Sequence, residues 1–178
     1  MRRFALSAIG RDRPGIVAGV SADLLSHAVN IEDSQMSILR GHFTLVLILA
    51  GDEALDTGAL RSDLERTAAR LGLDAWSLSE IADAGAPAEP SCIVTVYGVD
   101  HPGIVHAVAL ALAERAVNIT DLQTRLVAEA GADEIYAMTL ELSLPEGFAH
   151  ADLEDAFASV RSEQGVQVSV RELERDVL

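Results

Sequence analysis

Two short clusters hold the residues with chemistry to offer. The first is Gly10-x-Asp12-x-Pro14-Gly15-Ile16-Val17; the second, 88 residues on, is Gly98-x-Asp100-x-Pro102-Gly103-Ile104-Val105. Each sets a carboxylate just ahead of a proline–glycine pair and an apolar run. A helix that starts there has first-turn N–H groups with no helical carbonyl to bond, and such groups attract an anion, a carboxylate included. Asp12 and Asp100, turned inward, would take an ammonium group. An anion site beside a carboxylate describes a receptor for a zwitterion such as an α-amino acid. The plainer reading is that both aspartates cap their helices at the positive dipole end, with Gly15 and Gly103 permitting close packing. The two roles are compatible.

A second pair of clusters keeps the same offset: Ala28-Val29-Asn30-Ile31 matches Ala116-Val117-Asn118-Ile119, and about half of the positions from Gly10 to Gln35 equal their partners. Asn30 and Asn118 either bond a ligand across a domain boundary or end their helices, because asparagine tolerates left-handed geometry. One pair of units is too few for a solenoid. Two homologous domains follow, residues 1–82 and 91–178, joined by a linker over 83–90 that is small, proline- and glycine-punctuated and aperiodic.

The elements that must position these clusters read alike in both halves. Phe4–Ile9 and Cys92–Tyr97 are short β-type runs. Pro14 and Pro102 sit where a helix can start, since proline at the first helical position forfeits only an unneeded N–H. Ile16, Val17, Val20, Leu24 and Ala28 recur at helical spacing, as do Ile104, Val105, Val108, Leu112 and Ala116. Strands follow at Ile31–Leu39 and Ile119–Val127, then a turn (Arg40-Gly41, or residues 129–133), then strands at Phe43–Ala50 and Ile135–Leu142. Leu60, Leu64, Ala68 and Leu71 line a second helix in the first unit, and Leu153, Phe157 and Val160 one in the second. Gly72 and Gly165 stand where helices end. Leu73–Ile81 and Val166–Arg171 close the units.

The order β-α-β-β-α-β, twice, predicts an α+β fold: two ferredoxin-like domains, each a four-stranded antiparallel sheet with two helices on one face. Along Phe43–Ala50 both faces are apolar, with Val46, Ile48 and Ala50 opposite Phe43, Leu45, Leu47 and Leu49. The helix-free face is therefore expected to be covered by another domain or subunit, which points to a homodimer; the plainer alternative is a central strand with a tolerable exposed patch.

Composition narrows the function. The 178 residues carry 13 Lys+Arg against 28 Asp+Glu, a formal charge of -15, which disfavours direct contact with nucleic acid or anionic membranes. The longest apolar run falls far short of a membrane span, and no targeting segment is visible, so a cytoplasmic location is expected. A single cysteine, Cys92, excludes an internal disulfide and reads as a packed strand residue. His101 and His106 flank the second loop but have Arg13 and Ala18 as counterparts, so no metal site is assigned. Asp33 and Asp121 lack a partner motif, and there is no phosphate-binding loop. No catalytic residue, metal or cofactor is expected. The tail Arg171–Asp176 mixes charges and reads as a solvated strand end.

Gly-x-Asp-x-Pro-Gly-Ile-Val followed by Ala-Val-Asn-Ile resembles the ACT domain, a small amino-acid-binding regulatory module, in both halves. Two such units without a catalytic domain are similar to the glycine cleavage system transcriptional repressor family, which acts through a DNA-binding protein partner. The resemblance implies the βαββαβ fold and a ligand seated between ACT units. By position, it implicates Gly10, Asp12, Pro14, Gly15 and Ile16 with Asn30, and Gly98, Asp100, Pro102, Gly103 and Ile104 with Asn118. The ligand would be a small amino acid of the glycine or serine class, and the partner a protein such as a transcription factor. A detached regulatory subunit of an amino-acid metabolic enzyme and a ligand-free dimerisation module are the competing functions. Arg13 against His101 and Arg11 against Val99 mark the halves as unequal.

Overall fold

The computed structural model describes residues 1–127 and 135–173. Elements run β1 (Arg2–Arg11), α1 (Ile16–Ser26), β2 (Asn30–Leu39), β3 (His42–Gly51), α2 (Thr57–Leu71) and β4 (Leu73–Ile81). The order then repeats as β5 (Cys92–Val99), α3 (Ile104–Ala113), β6 (Asn118–Val127), β7 (Ile135–Ser143), α4 (His150–Gln164) and β8 (Gln167–Glu172). They form two compact units, Met1–Gly85 and Ala86–Leu178. The two antiparallel sheets have the orders β2-β3-β1-β4 and β6-β7-β5-β8. The fold is thus the tandem βαββαβ arrangement expected. The turn at 129–133 and the tail beyond Leu173 lie outside the described residues.

Each unit buries the helix-facing side of its sheet. In the first, Phe4, Leu6, Phe43, Leu45, Leu47 and Leu49 meet Ile16, Val20 and Leu24 of α1 and Leu60 and Leu64 of α2. In the second, Cys92, Val94, Val96, Met138, Leu140 and Leu142 meet Ile104, Val108 and Leu112 of α3 and Leu153, Phe157 and Val160 of α4. Alternation of period 2 in the strands and about 3.6 in the helices produces these faces. Across β3 the other side is mixed: Val46 is exposed, Ile48 half-buried, and Ala50, at the strand end, fully buried. Hydroxyl pairs also occupy that side, Ser7–Ser77 at 2.9 Å and Thr95–Ser169 at 2.5 Å.

Helix ends explain three departures from the sequence reading. Pro14 and Pro102 do not open α1 and α3; each precedes a glycine that serves as N-cap. Gly15 has φ 94° and ψ -5°, and Gly103 φ 113° and ψ -19°, the angles of the second central residue of a type II turn with proline at the first. A turn of that type holds proline outside the helix. Second, the left-handed residues at the far ends are Ala28 and Ala116, both at φ 54°, not the asparagines. Val29 N–H bonds Leu24 C=O and Ala28 N–H bonds Leu25 C=O, with Val117–Leu112 and Ala116–Ala113 repeating the pair: a Schellman closure in each half. Third, Val17 and Val105 face out, 48% and 40% exposed, because only Ile16, Val20 and Leu24 and their counterparts point at the sheet.

Candidate functional site

Within each unit the repeated clusters lie at opposite ends of the sheet. Arg3 of β1 pairs with Ala50 of β3, which pairs with Asn30 at the start of β2. Asp12 follows β1 nine residues beyond Arg3, so about 30 Å separates it from Asn30 at roughly 3.3 Å per strand residue. The same topology parts Asp100 from Asn118. The structure therefore brings Gly10, Asp12, Pro14, Gly15 and Ile16 together, and likewise Gly98, Asp100, Pro102, Gly103 and Ile104. It leaves each asparagine, exposed, at the far pole of its unit.

The members of each loop divide by role. Gly10 and Gly98 are packing residues: a Cβ on Gly10 would lie 3.0 Å from Leu73 Cα, and one on Gly98 2.7 Å from Val166 Cγ1. Ile16 and Ile104 are buried beneath the helix start, whereas Pro14, Gly15, Pro102 and Gly103 are exposed. Asp12 and Asp100 are exposed too, and neither caps its helix: no side-chain hydrogen bond closes the start of α1 or α3. The expectation of capping fails because a glycine in a type II turn takes the N-cap position and leaves the aspartate three residues ahead of it. By contrast Asp56, the N-cap of α2, accepts from Gly58 N–H and Ala59 N–H at 3.0 Å each. The Asp12 backbone is fixed instead, its N–H donating to Gly41 C=O at 3.1 Å.

Sequence reading missed how the loops are anchored. Arg13 Nη2 donates to Arg70 C=O at 3.1 Å, at the C-terminal turn of α2. His101 Nε2 lies 2.9 Å from Gln164 C=O at the end of α4, and its Nδ1 3.2 Å from Pro102 C=O. Two residues unlike in sequence thus do one job, tying the loop to the electronegative end of the second helix. The signal was there: both positions hold a side chain able to carry positive charge. The carbonyl contacts, Gln164 first and Pro102 second, hold His101 protonated to higher pH than usual, helped by Asp100.

In the second unit the loop opens on a depression of about 590 Å³, shared by Asp100, His101, Val105, His106 and Tyr136. Tyr136 comes from β7, where it pairs with Gly98, and Phe43 takes the same place opposite Gly10 in the first unit. Burial raises the phenol's pKa, opposed by a hydrogen bond with Thr124. His106 joins no metal cluster; among the described residues none gathers three His, Cys, Asp or Glu side chains for an ion. Nor, among them, is any helix long and apolar enough to cross a membrane.

The ACT-domain family profile matches residues 2–76. A UPF0237 protein of Methanopyrus kandleri is 43% identical over 75 residues, spanning 42% of this chain and 83% of that protein. The glycine cleavage system transcriptional repressor of Escherichia coli K12 is 28% identical over 171 residues, 94% of this chain and 88% of its own length. A solved structure of an unknown protein from Galdieria sulphuraria superposes with a TM-score of 0.78 at 28% identity, covering 97% of this chain and 99% of that one. The Escherichia coli relative, which aligns through both units, is by name a transcriptional repressor. With its two βαββαβ units and their repeated loops, this chain belongs to the ACT-domain family and is related to the glycine cleavage system transcriptional repressor.

Proposed function

We propose that the chain is a cytoplasmic amino-acid sensor that acts on a protein partner, a regulator of transcription in glycine or related amino-acid metabolism. Its two domains, 1–82 and 91–178, bind a glycine- or serine-class ligand at the Asp12 and Asp100 loops. The ligand's carboxylate meets the uncapped N–H groups at the start of α1 or α3, and its ammonium meets Asp12 or Asp100. Asn30 and Asn118, too far from the loop of their own unit, serve a ligand held by a different unit, with a homodimer as the working assembly. The observation that carries the reading is the alignment with the Escherichia coli repressor through both units. It is supported by two exposed aspartates that do no capping at helix starts lacking any side-chain cap. A ligand of this kind transmits a signal only through unequal affinity for two arrangements of the protein.

Calorimetric titration of the folded chain with glycine, serine and branched-chain amino acids tests the sensor. Saturable heat with one of them is expected, and no heat with any overturns the reading. Mass spectrometry of co-purified protein tests the partner: a transcription factor supports the proposal, and a metabolic enzyme replaces it.

A further inference from the structure

The two loops are tied to their second helices by different cations, and only one of the two can lose its charge. Arg13 remains a guanidinium at any physiological pH. His101 has a carbonyl oxygen at each ring nitrogen, Gln164 C=O at 2.9 Å and Pro102 C=O at 3.2 Å. Carbonyls only accept, so both contacts are hydrogen bonds only when both nitrogens carry protons. The neutral ring keeps one bond and turns a lone pair toward the other oxygen. We infer that His101 is a proton-operated clamp: the imidazolium fastens the Asp100 loop to the end of α4, and loss of a proton loosens that loop alone.

The surroundings favour such behaviour. On its own loop His101 has Asp100 beside it, whose negative charge favours the imidazolium. From α3 His106, and from β7 Tyr136, share the depression the ring borders. At α4 the ring meets the helix's negative end, where Gln164 is neutral and Glu163 is the nearest ionisable residue in sequence. Gln164 also reaches the loop a second time, its Oε1 lying 3.6 Å from where a Cβ on Gly103 would stand. In the first unit Arg13 occupies the same position in the loop and answers Arg70 C=O with a fixed charge. The clamp needs no ligand. Its effect on ligand affinity rests on the function proposed above: the second site weakens as pH rises and the first does not.

Hydrogen exchange of backbone amides on the full chain, with ring titration by NMR, separates these statements. The His101 ring is expected to titrate above the ordinary histidine value. Protection of amides in residues 100–106, corrected for intrinsic exchange, is expected to fall about threefold to tenfold through that titration, the scale of one hydrogen bond. Residues 12–18 are expected to hold theirs. H101R should abolish the pH dependence in the second unit, and R13H should install it in the first. Equal pH response of both loops, or a response that persists in H101R, overturns the clamp. If the exchange data follow this pattern while no amino acid binds, the clamp stands and the sensor reading falls.

Discussion

Gly10 runs close against Leu73: an added Cβ would sit 3.0 Å from Leu73 Cα and 3.3 Å from Gly72 C=O, so the backbone of β4 would have to give way to admit it. The contact joins the end of β1 to the start of β4 just before the Asp12 loop, at a shift in the pairing register. Because the obstruction is backbone, it cannot rotate away. Gly10→Ala is expected to lower stability by about 1–3 kcal/mol, the usual cost of overpacking. Urea denaturation would show it; a cost under about 0.5 kcal/mol would mean that the strands part easily, contrary to the geometry.

Ala28 and Ala116 hold left-handed angles that suit glycine better. A side-chain-bearing residue there costs about 1–2 kcal/mol per position. Part of that gain returns as greater freedom of the unfolded chain when glycine is introduced. Ala28→Gly and Ala116→Gly are each expected to stabilise by about 0.5–1 kcal/mol, the balance of these effects. Thermal midpoints of the single variants, read against wild type, would settle it; a decrease for both would refute the strain argument.

Asp12→Ala and Asp100→Ala are expected to abolish or strongly weaken amino-acid binding while changing stability by less than about 0.5 kcal/mol, as for other exposed sites. Asp56→Ala is the control. It removes two hydrogen bonds from the start of α2 and is expected to cost about 1 kcal/mol with binding unchanged. Normal titration heats in both Asp12 and Asp100 variants would remove the aspartates from the site.

Stability is expected to peak between about pH 4 and 6.5, the ordinary carboxylate and histidine values. Glu80 is held below its usual value by the hydrogen bond from Arg2, and Asp83 by Gly85 N–H and then by Arg3. Depressed carboxylates contribute stability that is present above their unfolded pKa and lost as pH falls through the folded one. His101, raised by Gln164 C=O and Pro102 C=O, works the other way. Its contribution is complete below the unfolded value and fades as pH rises through the folded one. Glu80 and Asp83 are exposed and His101 only half-buried, so both limbs are shallow and flatten with salt. Arg2→Ala should reduce the acid limb and His101→Arg the alkaline limb in thermal scans across pH; limbs unchanged in both variants would refute these assignments.

The strands and helices were legible because their periodicity reports burial directly. Leu60, Leu64, Ala68 and Leu71 all face the core of the first unit, and Leu73–Ile81 is the span of β4. The helix ends were less so, because hydrogen bonding decides them. Pro14 suits both a first helical position and a type II turn, and only Gly15 at φ 94° distinguishes the two. Asn30 looked like the left-handed residue by propensity, yet the Schellman bonds put that geometry at Ala28. In the site, the aspartates and glycines announced themselves through repetition. Arg13 and His101 stood out only as a difference between the halves; their common function needs the position of a helix end that lies more than fifty residues further along the chain.

The far separation of aspartate from asparagine within a unit sets a rule of stoichiometry. A metabolite far shorter than the sheet can reach only one pole of any module. On the sensor reading proposed above, a single module would carry both candidate half-sites, but never offer them to one molecule. Whatever is gripped at both poles must borrow them from two modules, so occupancy would count modules in pairs and register the state of assembly along with the concentration of the metabolite.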